Sequence, residues 1–128
     1  MVALLYCDLD GFKDVNDRFG HALGDEVLVR AVRRIEHVVR AGDLLVRQGG
    51  DEFLLVLADL GDDAEEVAAE VTRHVTAAFA RPFAIGGQDV ALGLSVGWSL
   101  CPRDGTTPAG LLARADAAMY EAKRARPR

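Results

Sequence analysis

Strand-like and helix-like segments alternate along this 128-residue chain in a fixed order. The order is strand, helix, strand, strand, helix, strand, helix, and it predicts a mixed α/β (α+β) domain. Its core is a ferredoxin-like βαββαβ unit with a mainly antiparallel sheet and helices on one face. Three observations carry this reading. Residues 2–7 and 53–57 are continuous apolar runs, as strands buried on both faces are. Residues 28–39 carry a helix-period apolar stripe. A Gly49-Gly50 turn joins two strand-like arms. The length suits one domain over residues 1–128 with a sizeable core.

The elements follow in order. Residues 2–7 form the first strand, and residues 11–19 read as a short helix broken at Phe19-Gly20-His21. A longer helix runs from about residue 23 to 40, with Leu28, Ala31, Val32, Ile35, Val38 and Val39 on its buried face. Ala41-Gly42-Asp43 ends it, with glycine as the stop signal. Residues 44–48 and 52–58 are the hairpin arms. Asp62 and Asp63 open a third helix, where acidic groups suit the dipole. Its buried face is Val67, Val71, Val75, Ala78 and Phe79, and Arg81-Pro82 stops it. Residues 83–85 and 90–100 read as strands around Gly86-Gly87. In the second of these, large side chains (Val90, Leu92, Leu94, Val96, Trp98, Leu100) alternate with small ones (Ala91, Gly93, Ser95, Gly97, Ser99). The small face lets a helix or ligand come close. Thr107 then caps a last helix that begins at Pro108.

Composition excludes several classes. A net charge of −5 argues against a general nucleic-acid binder, though not against a nucleotide ligand. Residues 1–7 carry no positive n-region, and no apolar run approaches the ~20 residues of a membrane span. Cytoplasmic residence is therefore expected. Cys7 and Cys101 form no CxxC pair and read as buried free thiols. Only two lysines, Lys13 and Lys123, stand against thirteen arginines. Arginine-rich codon usage explains the bias, and a surviving lysine then suits a phosphate site as a compact charge.

Two acidic clusters carry the chemistry. Asp8-Leu9-Asp10 follows the first strand, and Asp51-Glu52 follows the double glycine. In a βαββαβ sheet the first and third strands are central antiparallel neighbours, so the end of the first lies beside the start of the third. Topology thus brings together the hard oxygen ligands a Mg²⁺-nucleotide site needs. Asp10 itself reads as a helix N-cap, and His21 as a cap of the long helix. Asp17, His37 and His74 read as surface residues.

Gly49-Gly50-Asp51-Glu52-Phe53 is the signature of the GGDEF domains, the diguanylate cyclases, and the chain resembles that family along nearly its whole length. Asp8 through Asp17, then Phe19-Gly20-His21 and Gly24-Asp25, are similar to the family's stretch from first strand into long helix. Ala115-Asp116, Met119-Tyr120 and Ala122-Lys123 are similar to its last helix. The resemblance implies a fold akin to nucleotidyl cyclases and polymerase palms. It also implies condensation of two GTP into cyclic di-GMP and two pyrophosphates by two facing domains, a homodimer. Asp8, the Leu9 carbonyl, Asp51 and Glu52 would serve two Mg²⁺ ions, with Mn²⁺ as a substitute. Asp51 would be the base for the ribose 3′-hydroxyl, and Asn16 and Asp25 would read guanine. Backbone N–H groups at Phe12 and Lys13, with the Lys13 and Lys123 side chains, would hold phosphates. Gly49 and Gly50 would admit the nucleotide to the backbone.

Arg40-Ala41-Gly42-Asp43 fits the family's RxxD motif, which implies product inhibition by cyclic di-GMP away from the active site. The same residues are also ordinary at a helix C-terminus. Relative to the family pattern, the helical lead-in and the final Gly-Arg-Asn turn and strand are missing. Arg126 or Arg128 would have to replace a phosphate ligand of that turn. The alternative function is a non-catalytic module that binds GTP or cyclic di-GMP.

Overall fold

The computed structural model describes residues 1–125. The elements are β1 (Val2–Asp10), α1 (Phe12–Phe19), α2 (His21–Val38), β2 (Leu44–Gly49), β3 (Glu52–Leu57), α3 (Ala64–Ala78), β4 (Phe83–Ile85), β5 (Gln88–Val90), β6 (Gly93–Cys101) and α4 (Pro108–Ala125). Strands β2-β3-β1-β6 form one antiparallel sheet, and β4-β5 form a separate hairpin. As the chain order requires, β1 and β3 are central neighbours, with Ala3 opposite Leu57 at one end and Asp8 opposite Glu52 at the other.

Strand alternation sorts the core into two layers. Ala3, Leu5, Cys7 and Leu9 of β1 join Phe53, Leu55 and Leu57 of β3 in a buried cluster with Val27, Ala31 and Ile35 of α2 and Ala68 and Val75 of α3. Tyr6 and Leu54, in the alternate register, meet Ala115 and Met119 of α4. Helices therefore cover both faces, not the one face expected, because α4 takes the second. The small residues of β6 make this possible. A Cβ on Gly97 would lie 1.9 Å from the Met119 nitrogen, so only glycine lets α4 come this close. The Ser99 hydroxyl donates to the Leu111 carbonyl at 2.8 Å, which fixes the helix on the strand.

Several boundaries differ from expectation. Strand β1 continues to residue 10, so Asp8 and Asp10 are strand residues. Asp10 is not a helix cap. Gly11 holds that place at φ 90° without a side-chain cap, and the Asp10 carboxylate accepts from Ser95 Oγ at 2.6 Å. His21 is the exposed first residue of α2 and does not cap it. Gly20 is the N-cap, in a backbone conformation (φ 88°, ψ 163°) open to glycine. Helix α2 ends at Val38, before the Gly42 stop. The segment 90–100 is two strands, because the β4-β5 hairpin turns away from the main sheet and β6 starts at Gly93. Cys7 lies inside β1, fully buried, whereas Cys101 ends β6 half-buried; both are free thiols. The Thr107 cap is present: its hydroxyl accepts from the Gly110 amide at 3.1 Å.

The turn from β6 to α4 rests on Asp104. Its carboxylate accepts from the Leu100 amide at 2.8 Å and pairs with Arg103 (3.1 Å) and Arg114 (3.3 Å). The hydrogen bond from Arg103, helped by the Leu100 amide, holds this carboxyl below its ordinary range. A depressed folded pKa stabilises the fold above the unfolded value and loses that contribution as pH falls through the folded one. Asp104→Asn is therefore expected to lower urea stability at pH 7, with the difference shrinking below about pH 4. Equal losses at neutral and acid pH would contradict this role.

Candidate active site

The β1-β3 pairing builds the site. Asp8 faces Glu52 across the strands, and the Leu9 amide donates to the Asp51 carbonyl at 3.0 Å, beyond the last register pair. The hairpin tip is thereby tied to β1. Gly50 takes a positive φ of 46°, and Gly49 follows a bulge in β2. The Arg47 guanidinium clamps the turn by donating to the Gly50 carbonyl from Nε (3.1 Å) and Nη2 (2.9 Å). Sequence reasoning missed Arg47; its place two residues before Gly49 is the only signal it offers.

Charge concentrates at Asp8. Its residue is only 8% exposed, and Oδ1 is buried without a hydrogen-bond partner. Oδ2 receives Lys123 Nζ at 2.6 Å, and the same ammonium lies 3.5 Å from Asp10. Burial pushes the Asp8 carboxyl up, with Asp51 and Asp10 adding to the rise, while Lys123 opposes it. The Asp8 hydrogen bond in turn raises the Lys123 ammonium. A cation is thus what this carboxylate requires, and α4 delivers one from the far end of the sequence. Ser95 was also missed, although its place on the small face of β6 points it to the same side as Asp8.

The residues fit a hard divalent cation. Asp8 offers a buried, unpartnered carboxylate oxygen, and Asp51 and the Leu9 carbonyl are further hard donors beside it. Among the described residues no group of three or more His, Cys, Asp or Glu forms a preformed cage. Mg²⁺ needs none, since it is usually held by one or two carboxylates together with substrate phosphates and water.

The other expected residues lie on α1 and α2. Phe12 and Lys13 open α1, whose N-terminus lacks a side-chain cap, so its first-turn amides have no helical partner. Gly24 packs on Asn16: a Cβ there would lie 1.8 Å from Asn16 Oδ1, which is buried and unpartnered. Asp25, the next residue along α2, is exposed. Asp17, His37 and His74 are exposed, as expected. A separate groove of about 640 Å³ between α2, α3 and β4 holds Arg34. That guanidinium is spent on the Ala78, Arg81 and Pro82 carbonyls and on the Phe83 ring.

Arg40 and Asp43 lie at the other end of the hairpin, where Leu44 pairs with Val56. Arg40 Nε reaches Asp43 Oδ2 at 3.1 Å, and Asp43 also accepts from the Arg40 amide (3.2 Å) and the Ala58 amide (3.4 Å). The Asp43 side chain is buried by these contacts, whereas that of Arg40 is 48% exposed. The hydrogen bond to Asp43 raises the Arg40 guanidinium further. Arg126 and Arg128 lie outside the described residues.

A family model described as "Diguanylate cyclase, GGDEF domain" matches residues 1–128, and the chain belongs to that family. It is 44% identical over 124 residues to diguanylate cyclase TpbB of Pseudomonas aeruginosa, covering 96% of this chain and 28% of the relative. The response regulator PleD of Caulobacter vibrioides is 40% identical over 125 residues, 95% of this chain and 27% of the relative. The chain therefore spans about a quarter of the length of these curated relatives. Among solved structures, the GGDEF domain of DgcB from Caulobacter crescentus in complex with c-di-GMP superimposes with a TM-score of 0.83 at 27% identity, covering 96% of this chain and 72% of that one. Mixed α/β architecture with a cyclase-palm sheet is the fold that these relatives share with this chain. No helix among the described residues is long and apolar enough to cross a membrane.

Removing the ammonium should leave Asp8 buried and uncompensated. Lys123→Met is expected to cost about 1–3 kcal/mol in urea unfolding. In an Asp8→Asn background the cost should shrink. Equal costs in both backgrounds would show that the two side chains are not coupled.

Proposed function

We propose that this domain is a diguanylate cyclase that condenses two GTP into cyclic di-GMP and two pyrophosphates. The observation that carries the reading is the convergence of Asp8, Asp51 and Glu52 at the β1-β3 end, beside the uncapped start of α1. The family membership supports it. One GTP binds per domain. Asn16 and Asp25 accept from the guanine edge, which rejects adenine because their polar groups would be left unpaired. The first-turn amides at Phe12 and Lys13, with the Lys13 and Lys123 side chains, hold the phosphates, and Gly49 and Gly50 allow close backbone approach. Asp8, the Leu9 carbonyl and Asp51, with Glu52 in support, would hold Mg²⁺, which would neutralise charge at the phosphates.

Asp51 takes the proton from the 3′-hydroxyl of one nucleotide. The freed oxygen attacks the α-phosphorus of the GTP on the facing domain, and the bond to pyrophosphate breaks. The reciprocal attack closes the ring. Positioning and charge carry such transfers more than covalent help does. Each domain supplies one nucleophile and one electrophile, so the homodimer is the catalytic unit. Product binding at Arg40 and Asp43, about 20 Å along β2 from the turn at ~3.3 Å per residue, gives feedback.

Asp51→Asn should lower turnover by about 10²-fold or more, while GTP binding measured by calorimetry survives in part. Full activity in a product assay would remove the base assignment. The initial rate of the unmodified chain should rise more steeply than in proportion to protein concentration. A strictly proportional rate from a proven monomer would contradict the two-domain mechanism. Arg40→Ala should weaken cyclic di-GMP binding roughly tenfold, the loss of a charged hydrogen bond, without lowering initial rates. Unchanged product affinity would remove the feedback site.

A further inference from the structure

We infer that Tyr6 is a positioning residue for Glu52, holding that carboxylate in its working orientation through a phenolic hydrogen bond braced by α4. The inference rests on the role proposed above for Glu52.

The sheet register sets the pair. Tyr6 stands opposite Leu54, and Asp8 opposite Glu52. Tyr6 and Glu52 are therefore diagonal neighbours on the side of the sheet that faces α4. Such pairs lie about 7–8 Å apart at the backbone, within reach of an aromatic side chain. Burial fixes the phenol. Its residue is 9% exposed and its ring packs with Leu54, Ala115 and Met119. A ring locked on a central strand under a helix has little freedom, so its hydroxyl is a rigid donor. The register places the Glu52 carboxylate within reach of that hydroxyl, and burial first, then the neighbouring Glu52 charge, pushes the phenol up.

Glu52 needs such a restraint. It is the first residue of β3, directly after the turn, and is only half-buried. A glutamate there keeps several rotamers, and ordering it costs side-chain entropy. One donor on one carboxylate oxygen selects a rotamer and leaves the second oxygen for the cation or nucleotide. Asp8 is already restrained by Lys123. Tyr6 does for the carboxylate opposite what Lys123 does for Asp8, and both restraints come from the α4 side of the sheet. The contact thereby links the helix carrying Lys123 to the acidic end of the hairpin.

Tyr6→Phe keeps the packed ring and removes only the donor. The test is a double-mutant cycle of Tyr6→Phe with Glu52→Ala, which removes the acceptor, read in two ways. The first is kcat and KM for GTP. The second is Mn²⁺ affinity by electron paramagnetic resonance with a non-hydrolysable GTP analogue. The expected result is a kcat about fivefold lower, the fold-change of one net hydrogen bond, with KM and the melting temperature nearly unchanged. Mn²⁺ affinity should fall by a similar factor, and both losses should vanish in the Glu52→Ala background. A purely structural role would shift stability and persist in that background, which overturns the inference, as would unchanged kcat and Mn²⁺ affinity. If the unmodified chain makes no cyclic di-GMP, the cyclase reading has failed, and the Mn²⁺ cycle alone decides for or against Tyr6.

Discussion

Pairing β1 antiparallel to β3 is the constraint from which the site follows. It sets Asp8 against Glu52 and lets the Leu9 amide hold the Asp51 carbonyl. Forty residues of chain separate these two clusters, and no local interaction could join them. The pairing is itself fixed by hydrophobic alternation. A slip of one residue would turn Leu5, Cys7 and Leu9 out of the α2-α3 layer and Tyr6 and Asp8 into it. Core packing thus sets the register, and the register places the carboxylates.

Gathering carboxylates on a buried strand end carries an electrostatic cost. Asp8 shows it, with its carboxyl pushed up by burial and by its acidic neighbours. The fold meets this with fixed partners from distant segments: Lys123 approaches Asp8 on α4, and Ser95 binds Asp10 from β6. The Lys123 contact depends on α4 lying close to β6, which Gly97 permits. A glycine without chemistry of its own therefore governs where the only lysine of α4 arrives.

Much of this was legible in the sequence because it lies in patterns of short period. Apolar runs gave the central strands, the Thr107-Pro108 cap gave the start of α4, and the small-residue face of β6 foretold a close helix. The acidic pairing was legible because element order implies strand adjacency. Strand ends were less so: β1 runs through Asp8 and Asp10 because Ser95 and Lys123 satisfy their charges, and those partners are 85 and 115 residues away. The break after Val90 was hidden because Val90 and Leu92 stay buried and keep the alternation going across the gap. Helices on both faces were missed because βαββαβ order alone does not say where the seventh element goes. Arg47 acts through a contact that no motif records.

The central claim is that two acidic clusters form one cation-nucleotide site at the β1-β3 end, separate from Arg40 and Asp43. Paramagnetic broadening by Mn²⁺ with a non-hydrolysable GTP analogue tests it directly, read from backbone amide resonances. The account predicts concurrent broadening at Asp8 to Phe12, at Gly50 to Glu52 and at Lys123, with Arg40 and Asp43 unaffected. Broadening of one cluster without the other, or centred on Arg40, would contradict it.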